Sequence, residues 1–504
     1  MSFKFGRKTS LLLLSFLALF TRFIGLFWGN GYFFHPDENN MGLSIANMGQ
    51  DLNPHFFAYG QFPLYLAYFT IKALSLNQNM ATAIYILRLY SSLFSLLTII
   101  TLTKIGQFFF TNKQNLIFTI LVIFSPGLIQ LAHFGTTESL LIFIFCLQIY
   151  LGLIFLRRPN TKIYLLSILI SSIGLSTKIS SVFLMAPFLL SILFTSKKIS
   201  AFLLTLTIYF TFLLPLSLLL SPHSLINWSD FTSAQSYEAS VAIGTLKVFY
   251  TRQFDQTIPY LFQLSKVFPF AIGLPIFVLA LFFLPKLPKY INLKNHQKFL
   301  IILLPCLVYF LYFGQLYVKW TRFMSPLFFL FPFLATFILT KLSSKLNISL
   351  IALSIIPAIV MLSIYIKPDI RLNFSTWINQ NIQAQTIILS EAGNVINIPL
   401  YGDYQTTNFD FYNLDQDPSL QAKLPELISQ TDYIIIPSRR ILKNQNNPNY
   451  PHSQNYYQNL FNHNFGFKHL QTFSTPLFGL IDEMAEETWS VFDHPVIRLY
   501  EKQI

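Results

Sequence analysis

LLLLSFLALFTRFIGLFWGNGYFFHPDENN, residues 11–40, runs from an apolar stretch into a proline followed by two acids. Leu11 to Trp28 reads as a membrane helix, and the polar loop after it carries His35-Pro36-Asp37-Glu38. Lys4, Arg7 and Lys8 precede the helix. A cleaved signal would need a small-x-small site behind the apolar run. None follows, so the helix is expected to be retained, with its N-terminus in the cytoplasm by the positive-inside rule. Arg22 lies in the outer third of this helix, where its long stem predicts snorkelling toward the outer headgroups.

The same pattern repeats along the chain. Of 504 residues, 53% are hydrophobic and only 11% charged, against about 25% charged in soluble domains. Apolar stretches near the roughly 18-residue spanning length recur through the first 366 residues. Beyond Leu11–Trp28, spans are expected near 82–110, 115–132, 137–156, 161–177, 181–195, 200–220, 262–284, 298–316, 325–340 and 348–366, about eleven in all. Pro187, Pro269 and Pro275 are expected to bend their helices.

Charge orients these spans. One set of connections holds Lys113, then Arg157, Arg158 and Lys162, then Lys197 and Lys198, then Lys286, Lys289, Lys294 and Lys298, then Lys341 and Lys345, with no acid among them. The acids fall elsewhere: near Asp37 and Glu38, at Glu138, in the loop with Asp230, Glu238 and Asp255, and after Pro368. The basic connections are therefore cytoplasmic, and an odd span count puts the C-terminus outside. The net charge of +13 follows from these loops and gives no reason to invoke nucleic acid. Cys146 and Cys306 both lie in apolar runs, as packed small side chains rather than a disulfide.

Two regions do not span. Within the outer loop, 29–80, two short helices are expected to lie at the membrane surface, the second over Gln61–Ser75. Residues 367–504 are polar and mixed. TIILSEA (386–392), DYIIIPS (432–438) and VIRLYEK (496–502) have strand character with helical patterns between them. The fold class is thus a polytopic α-helical membrane region, 1–366, with a small extracytoplasmic α/β domain, 367–504.

A few charged residues stand at the outer ends of helices. Proline and two acids make a good helix start, so Asp37 and Glu38 could simply favour the helix dipole. The functional reading makes Asp37 a general base at a membrane-bounded cavity. Glu138 opens the fourth span after Gln130-Leu-Ala-His133-Phe134 and is a second carboxylate for that cavity, or a helix cap. His133 suits a phosphate or a metal, or a plain hydrogen bond. The outer cations Arg88, Lys178, Arg252, Lys319 and Arg322 break the positive-inside pattern. Such groups suit phosphate oxygens. For Lys72, Lys247 and Lys266 snorkelling to headgroups explains the charge as well. Lys319 and Arg322 are three apart, so a helix would put them on one face. No P-loop, Rossmann glycine pattern, Cys-rich metal site or nucleophile elbow is visible. An outward site lacks cytoplasmic nucleotides, so its donor must be carried across, and a phosphate between cations and a carboxylate base suggests a lipid-linked donor.

These motifs resemble those of the integral-membrane GT-C glycosyltransferases of the protein O-mannosyltransferase and aminoarabinose transferase type, glycosyltransferase family 39. The resemblance rests on HPDE at 35–38, HF-x-T-x-E at 133–138, GLSTK at 174–178, YTRQF-x-x-T-x-PY at 250–260, VKWTRFMSP at 318–326 and AEETWSVFDHP at 485–495. It implies sugar transfer from a polyprenyl phosphate outside the cell membrane, in the cell envelope, with inversion at the anomeric carbon. It places the catalytic acid on Asp37 and Glu38, and the donor-phosphate cations on Lys178 and Arg322, with Lys319 and Arg252 beside them. Glu138 matches a second acidic position that is Asp in many relatives, and His35, His133 and Arg88 complete the candidates. The sugar-binding-type domain inserted in eukaryotic protein mannosyltransferases is absent, which weighs against a protein acceptor among the three classes open, lipid, glycan and protein. A divalent cation is compatible with Glu138 and Glu38 but is not required. Two other classes compete: a transporter or flippase for a lipid-linked sugar, and a receptor-like membrane protein whose external domain binds. A transporter would be expected to carry mid-membrane charges in related halves, whereas here the charges gather at one face.

Overall fold

A computed structural model describes residues 7–291, 296–391, 398–437, 442, 446–475 and 482–503. Lys4 and Lys294, and the expected strand ends Ala392 and Ser438, lie outside the described residues. The chain divides into two compact units. The first is Met1–Leu26, Asp37–Ala242 and Pro259–Leu362; the second is Phe27–Pro36, Ile243–Ile258 and Ser363–Ile504.

The first unit is helical. Among the described residues five helices are long and apolar enough to cross a membrane: Met80–Gly106, Glu138–Arg157, Ile199–Leu220, His296–Gly314 and Ser344–Ile366. Three further pairs pass that test together but are bent, Asn112–Ile123 with Pro126–His133 by 50°, Gln263–Ile272 with Leu274–Lys289 by 117°, and Thr321–Leu327 with Leu330–Leu339 by 51°. Leu12–Phe23, Thr161–Leu175 and Ile179–Thr195 are shorter apolar helices. Local signals set their starts. The Asn79 side chain accepts from the Thr82 N–H at 2.9 Å, Thr111 and Gln114 form a capping box, and Asn160 caps Thr161–Leu175, each satisfying first-turn donors that have no helical partner. Met80–Gly106 packs on Glu138–Arg157, which packs in turn on Ala186–Thr195.

Two expectations need correcting. Residues 262–284 do not form one gently bent span. The chain turns sharply at Gly273, whose φ of 88° is a left-handed conformation natural only to glycine, and Pro269 and Pro275 each start a helix on either side of it. Arg22 does not snorkel. It is wholly buried and donates to Ser95 Oγ (2.9 Å), Thr21 Oγ1 (2.9 Å) and the carbonyls of Ile123 (2.9 Å) and Val122 (3.3 Å). Helix Asn112–Ile123 ends there, and its last carbonyls lack helical partners. The guanidinium supplies them from inside the bundle.

The second unit is built on a five-stranded sheet of order β2-β1-β3-β5-β4. Its strands are β1 (Ile387–Glu391), β2 (Gln405–Phe409), β3 (Tyr433–Ile436), β4 (Phe467–Phe473) and β5 (Ile497–Lys502). β2, β1 and β3 are parallel, with Ile388 opposite Thr406 and Tyr433; β5 is antiparallel to β3 and β4. Alternate side chains serve opposite faces. Leu389, Ile434 and Tyr500 meet Leu424, Ile428, Tyr457 and Leu460 from helices Pro418–Gln430 and Pro451–Phe461. Ile388, Ile435 and Leu499 meet Phe374 and Ile378 from helix Ile370–Asn381. β1, β3 and β5 occupy the stretches the apolar pattern picked out. β2 and β4 are the two edges, largely exposed, and so lack the apolar run by which a central strand is recognised.

Candidate active site

Helix Pro36–Ala46 begins with proline and carries Asp37 and Glu38 in its first turn. The two carboxylates take different partners. Glu38 is wholly buried. Its Oε1 accepts from Arg88 Nε at 2.9 Å and from the Gly135 N–H at 2.6 Å, and its Oε2 accepts from Arg88 Nη2 at 2.7 Å. Arg88, also wholly buried, donates further to the Leu26 carbonyl at 3.1 Å. This fork ties the first loop, the second helix and the 133–138 turn together.

Asp37 pairs instead with Arg322. The Asp37 and Arg322 side chains remain 19% and 23% exposed, so a ligand can reach them. The Arg322 guanidinium lies 4.7 Å from the centre of the Trp320 ring. Glu138, first residue of Glu138–Arg157, has its Oε1 3.9 Å from Lys178 Nζ and accepts from Thr137 Oγ1 at 3.4 Å. Lys178 precedes the short helix Ile179–Met185, and its ammonium lies 5.1 Å from the Tyr59 ring and 5.5 Å from the Phe323 ring. The two ion pairs form one cluster, since Arg322, Asp37 and Glu238 all act electrostatically on Lys178 beside Glu138.

The cluster is held by its loops. The Gly60 and Phe62 N–H groups donate to the carbonyls of Thr177 (2.9 Å) and Ser176 (3.0 Å), setting Tyr59 over Lys178. A Cβ on Gly60 would stand 2.1 Å from the Ser176 carbonyl oxygen, closer than any side chain tolerates. Burial pushes the Tyr59 phenol well above its usual range, and Asp37 adds to this, so it stays neutral. Burial lowers Lys178, with Glu138 the main opposing influence.

The other sequence candidates lie elsewhere. Lys319 does not share a helical face with Arg322. Trp320 is extended and the helix begins at Thr321, so the buried Lys319 turns back to the Tyr317 carbonyl at 2.8 Å. His133 is buried in helix Pro126–His133, its ring nitrogens 2.8 Å and 2.7 Å from the Ile129 and Ile24 carbonyls. Arg252 and His35 belong to the second unit, Arg252 against the Tyr450 ring at 4.3 Å and His35 against the Phe492 ring at 4.2 Å. Among the described residues no group of three His, Cys, Asp or Glu could hold a metal ion. Tyr59 and Glu238 were not singled out from sequence. The only signal for them was a Tyr-Gly just before a proline-started helix and an acid within the polar stretch after Leu220.

A family model described as dolichyl-phosphate-mannose-protein mannosyltransferase matches residues 62–225. No curated protein matches the chain by sequence. In fold, the chain is similar to ArnT from Cupriavidus metallidurans, solved with undecaprenyl phosphate, with a TM-score of 0.52 and 12% identity over 98% of this chain and 98% of that one. It is also similar to the oligosaccharyltransferase AglB from Archaeoglobus fulgidus, solved with an inhibitory peptide and a dolichol-phosphate, with a TM-score of 0.53 and 10% identity over 85% of this chain and 69% of that one. The chain thus shares its fold with these two proteins, and among the described residues up to eight helices or bent helix pairs are long and apolar enough to cross a membrane. The family model that it matches over residues 62–225, about a third of the chain, is of the mannosyltransferase type.

Proposed function

We propose that the chain transfers a sugar from a polyprenyl-phosphate-linked donor to an acceptor hydroxyl on the outer face of the cell membrane, with inversion, and that Asp37 is the base. The observation that carries this reading is the Asp37–Arg322 pair standing beside the Glu138–Lys178 pair in one partly open cluster. An anionic lipid headgroup can displace a carboxylate from a cation. As the donor phosphate draws Arg322 and Lys178 toward itself, Asp37 is released to accept a proton. The acceptor oxygen then bonds to the anomeric carbon from the face opposite the phosphate. The bond from that carbon to the phosphate oxygen breaks, its electron pair stays on the phosphate, and the hydroxyl proton passes to Asp37. The leaving group gains a negative charge, which Arg322 and Lys178 stabilise more strongly than the ground state. Glu38, saturated by Arg88 and Gly135, positions Asp37 rather than reacting.

The helices support an outward orientation of the cluster. Glu138 and Arg157 sit at opposite ends of a 20-residue helix, roughly 30 Å apart at 1.5 Å per residue. Arg157 lies with the basic, cytoplasmic set, so Glu138 and its cluster face outward. About eleven spans, a cytoplasmic N-terminus and an outer second unit complete the arrangement. The binding of undecaprenyl phosphate by a protein of similar fold supports a lipid-phosphate donor here. Mass spectrometry of envelope glycans and lipids from cells with and without the protein tests the reading. A sugar missing from one acceptor in its absence is expected. Identical profiles, with no binding of undecaprenyl phosphate to the purified protein, would overturn it.

A further inference from the structure

A hollow of about 230 Å³ opens beside helix Pro36–Ala46, the helix that carries Asp37 in its first turn. Asn40, Ser44 and Asn47 line it on one side, and Pro54, His55 and Phe56 on the other. Asn47 lies one residue past the helix, but its N–H still donates to the Leu43 carbonyl at 3.0 Å. Asp37, Asn40, Ser44 and Asn47 are spaced three or four residues apart, so they form one stripe. Asn40 stands one turn from Asp37, roughly 5–6 Å between Cβ atoms. Helical side chains tilt toward the N-terminus, which tips Asn40 toward the carboxylate. The far wall reaches the other ion pair. The Phe56 ring meets the Tyr59 ring edge-on at 5.7 Å, and the Lys178 ammonium lies 5.1 Å from Tyr59. The hollow therefore adjoins both pairs.

That wall has no regular secondary structure, yet it is fixed. Ser44 Oγ donates to the Pro54 carbonyl (2.6 Å), Tyr65 Oη to Leu52 (3.1 Å) and Gln235 Nε2 to Phe57 (2.7 Å), and His223 Nε2 lies 3.1 Å from the Asp51 carbonyl oxygen. His55 has a left-handed φ of 49°, a conformation that a non-glycine residue keeps only where its surroundings impose it. No charged residue lines the hollow. Among the described residues no hydrogen bond engages the side chains of Asn40, Asn47 or His55. Carboxamides and an imidazole both donate and accept, as sugar hydroxyls do, and the Phe56 ring offers an aromatic surface to sugar C–H groups. A phosphate would find no cation there, and an acyl chain would cover the amides without pairing them. The volume takes one sugar ring rather than an extended chain.

We propose that this hollow is the acceptor subsite and that the acceptor is a neutral sugar residue, held by Asn40, Asn47 and His55 with one hydroxyl presented to Asp37. The proposal rests on the transfer reaction above and adds the class of acceptor. The hydroxyl proton goes to Asp37 as the oxygen bonds to the donor's anomeric carbon, and the lipid phosphate departs with the bonding pair. Saturation-transfer NMR on the purified full chain tests this with the methyl glycosides of mannose, glucose and N-acetylglucosamine and with a neutral serine-threonine peptide, while undecaprenyl phosphate binding is measured on the same samples. Wild type should bind at least one glycoside and not the peptide. Asn40→Ala and His55→Ala should each weaken that glycoside by roughly three- to tenfold, the loss of one hydrogen bond between neutral groups. Asn47→Trp should abolish its binding by filling the hollow. All three variants should bind undecaprenyl phosphate as wild type does, since none replaces Arg322 or Lys178. Lipid binding without glycoside binding would overturn the acceptor subsite alone. So would a bound peptide in place of the glycosides, or glycoside binding indifferent to all three substitutions. If wild type binds no undecaprenyl phosphate, the transfer reaction fails, and the acceptor role with it.

Discussion

Glu38 grips Arg88 through both carboxylate oxygens, at 2.9 and 2.7 Å, and neither side chain has any exposed surface. Its chain neighbour Asp37 holds Arg322 at a place ligands can reach. Adjacent acids therefore differ, one buried in a fork with Arg88 and one partly exposed beside Arg322. Removing one partner of a buried pair leaves an uncompensated charge, a cost of about 3–5 kcal/mol. Glu38→Gln and Arg88→Met should each lower the melting temperature of the purified protein markedly. The double variant Glu38→Leu with Arg88→Met should regain much of the loss, because the stranded charge is gone. Equal melting of wild type and Glu38→Gln would show that the fork holds nothing in place.

Asp37→Asn should behave in the opposite way. The side chains match in size and the site is open, so melting and expression should hold. Removing a general base lowers turnover by about 10²–10⁴. Sugar transfer by the purified variant, measured beside its melting curve, separates the two acids. Transfer at the wild-type rate would reduce Asp37 to a helix-start residue.

Lys178→Gln and Arg322→Gln should each weaken binding of undecaprenyl phosphate and slow transfer. Arg322→Lys should be impaired as well if the planar fork is what grips the phosphate, because an ammonium cannot reproduce it. Unchanged affinity in both Gln variants would assign these cations to Asp37 and Glu138 alone.

Gly60→Ala probes the loop rather than the charges. The new methyl would meet the Ser176 carbonyl oxygen at 2.1 Å, so the Gly60–Thr177 hydrogen bond must break or the loop must lift. Tyr59 then leaves Lys178, and transfer should fall although every charged residue remains. Wild-type activity in this variant would show that the Tyr59 loop is not part of the site.

The sequence announced those features whose chemistry is local. An acid pair behind a proline and cations at the wrong ends of helices are visible without coordinates. Partners distant in the chain are not. Nothing in the residues around Glu38 distinguishes it from Asp37; the difference lies in Arg88, from helix Met80–Gly106, and Gly135, from the turn before Glu138. Arg22 was misread because its partners are the carbonyls of a helix break about a hundred residues away. The expected face shared by Lys319 and Arg322 failed because a helix start fell between them. β2 and β4 escaped notice because exposed edge strands carry no apolar run.

The second unit should lose stability as pH rises, for two reasons that share one sign. Burial raises the Glu391 carboxyl to about 8, against opposing influences from the Tyr457 hydrogen bond and Arg498. An unfolded Glu titrates near 4.5, so the folded unit holds an extra proton between these values. The stability linked to it is full below about 4.5 and lost as pH climbs to about 8. His494 lies between Asp493 (Nδ1 to Oδ1, 2.5 Å) and Asp482 (Nε2 to Oδ2, 2.7 Å). Burial lowers its pKa, but Asp493 and Asp482 outweigh that and raise it to about 10 from 6.5. Its contribution is full below about 6.5 and lost as pH rises through about 10. Hydrogen exchange of β1 and β3 in the full-length protein, corrected for the intrinsic rate at each pH, should show protection falling from pH 5 to pH 9. Glu391→Gln keeps a buried hydrogen-bonding side chain without a titrating proton, and should flatten the fall below about pH 6.5 and lessen it up to about pH 8, while leaving the loss due to His494 above about 6.5. Protection that rises with pH in wild type, or a slope below pH 8 untouched by Glu391→Gln, would show that these two groups do not control the unit.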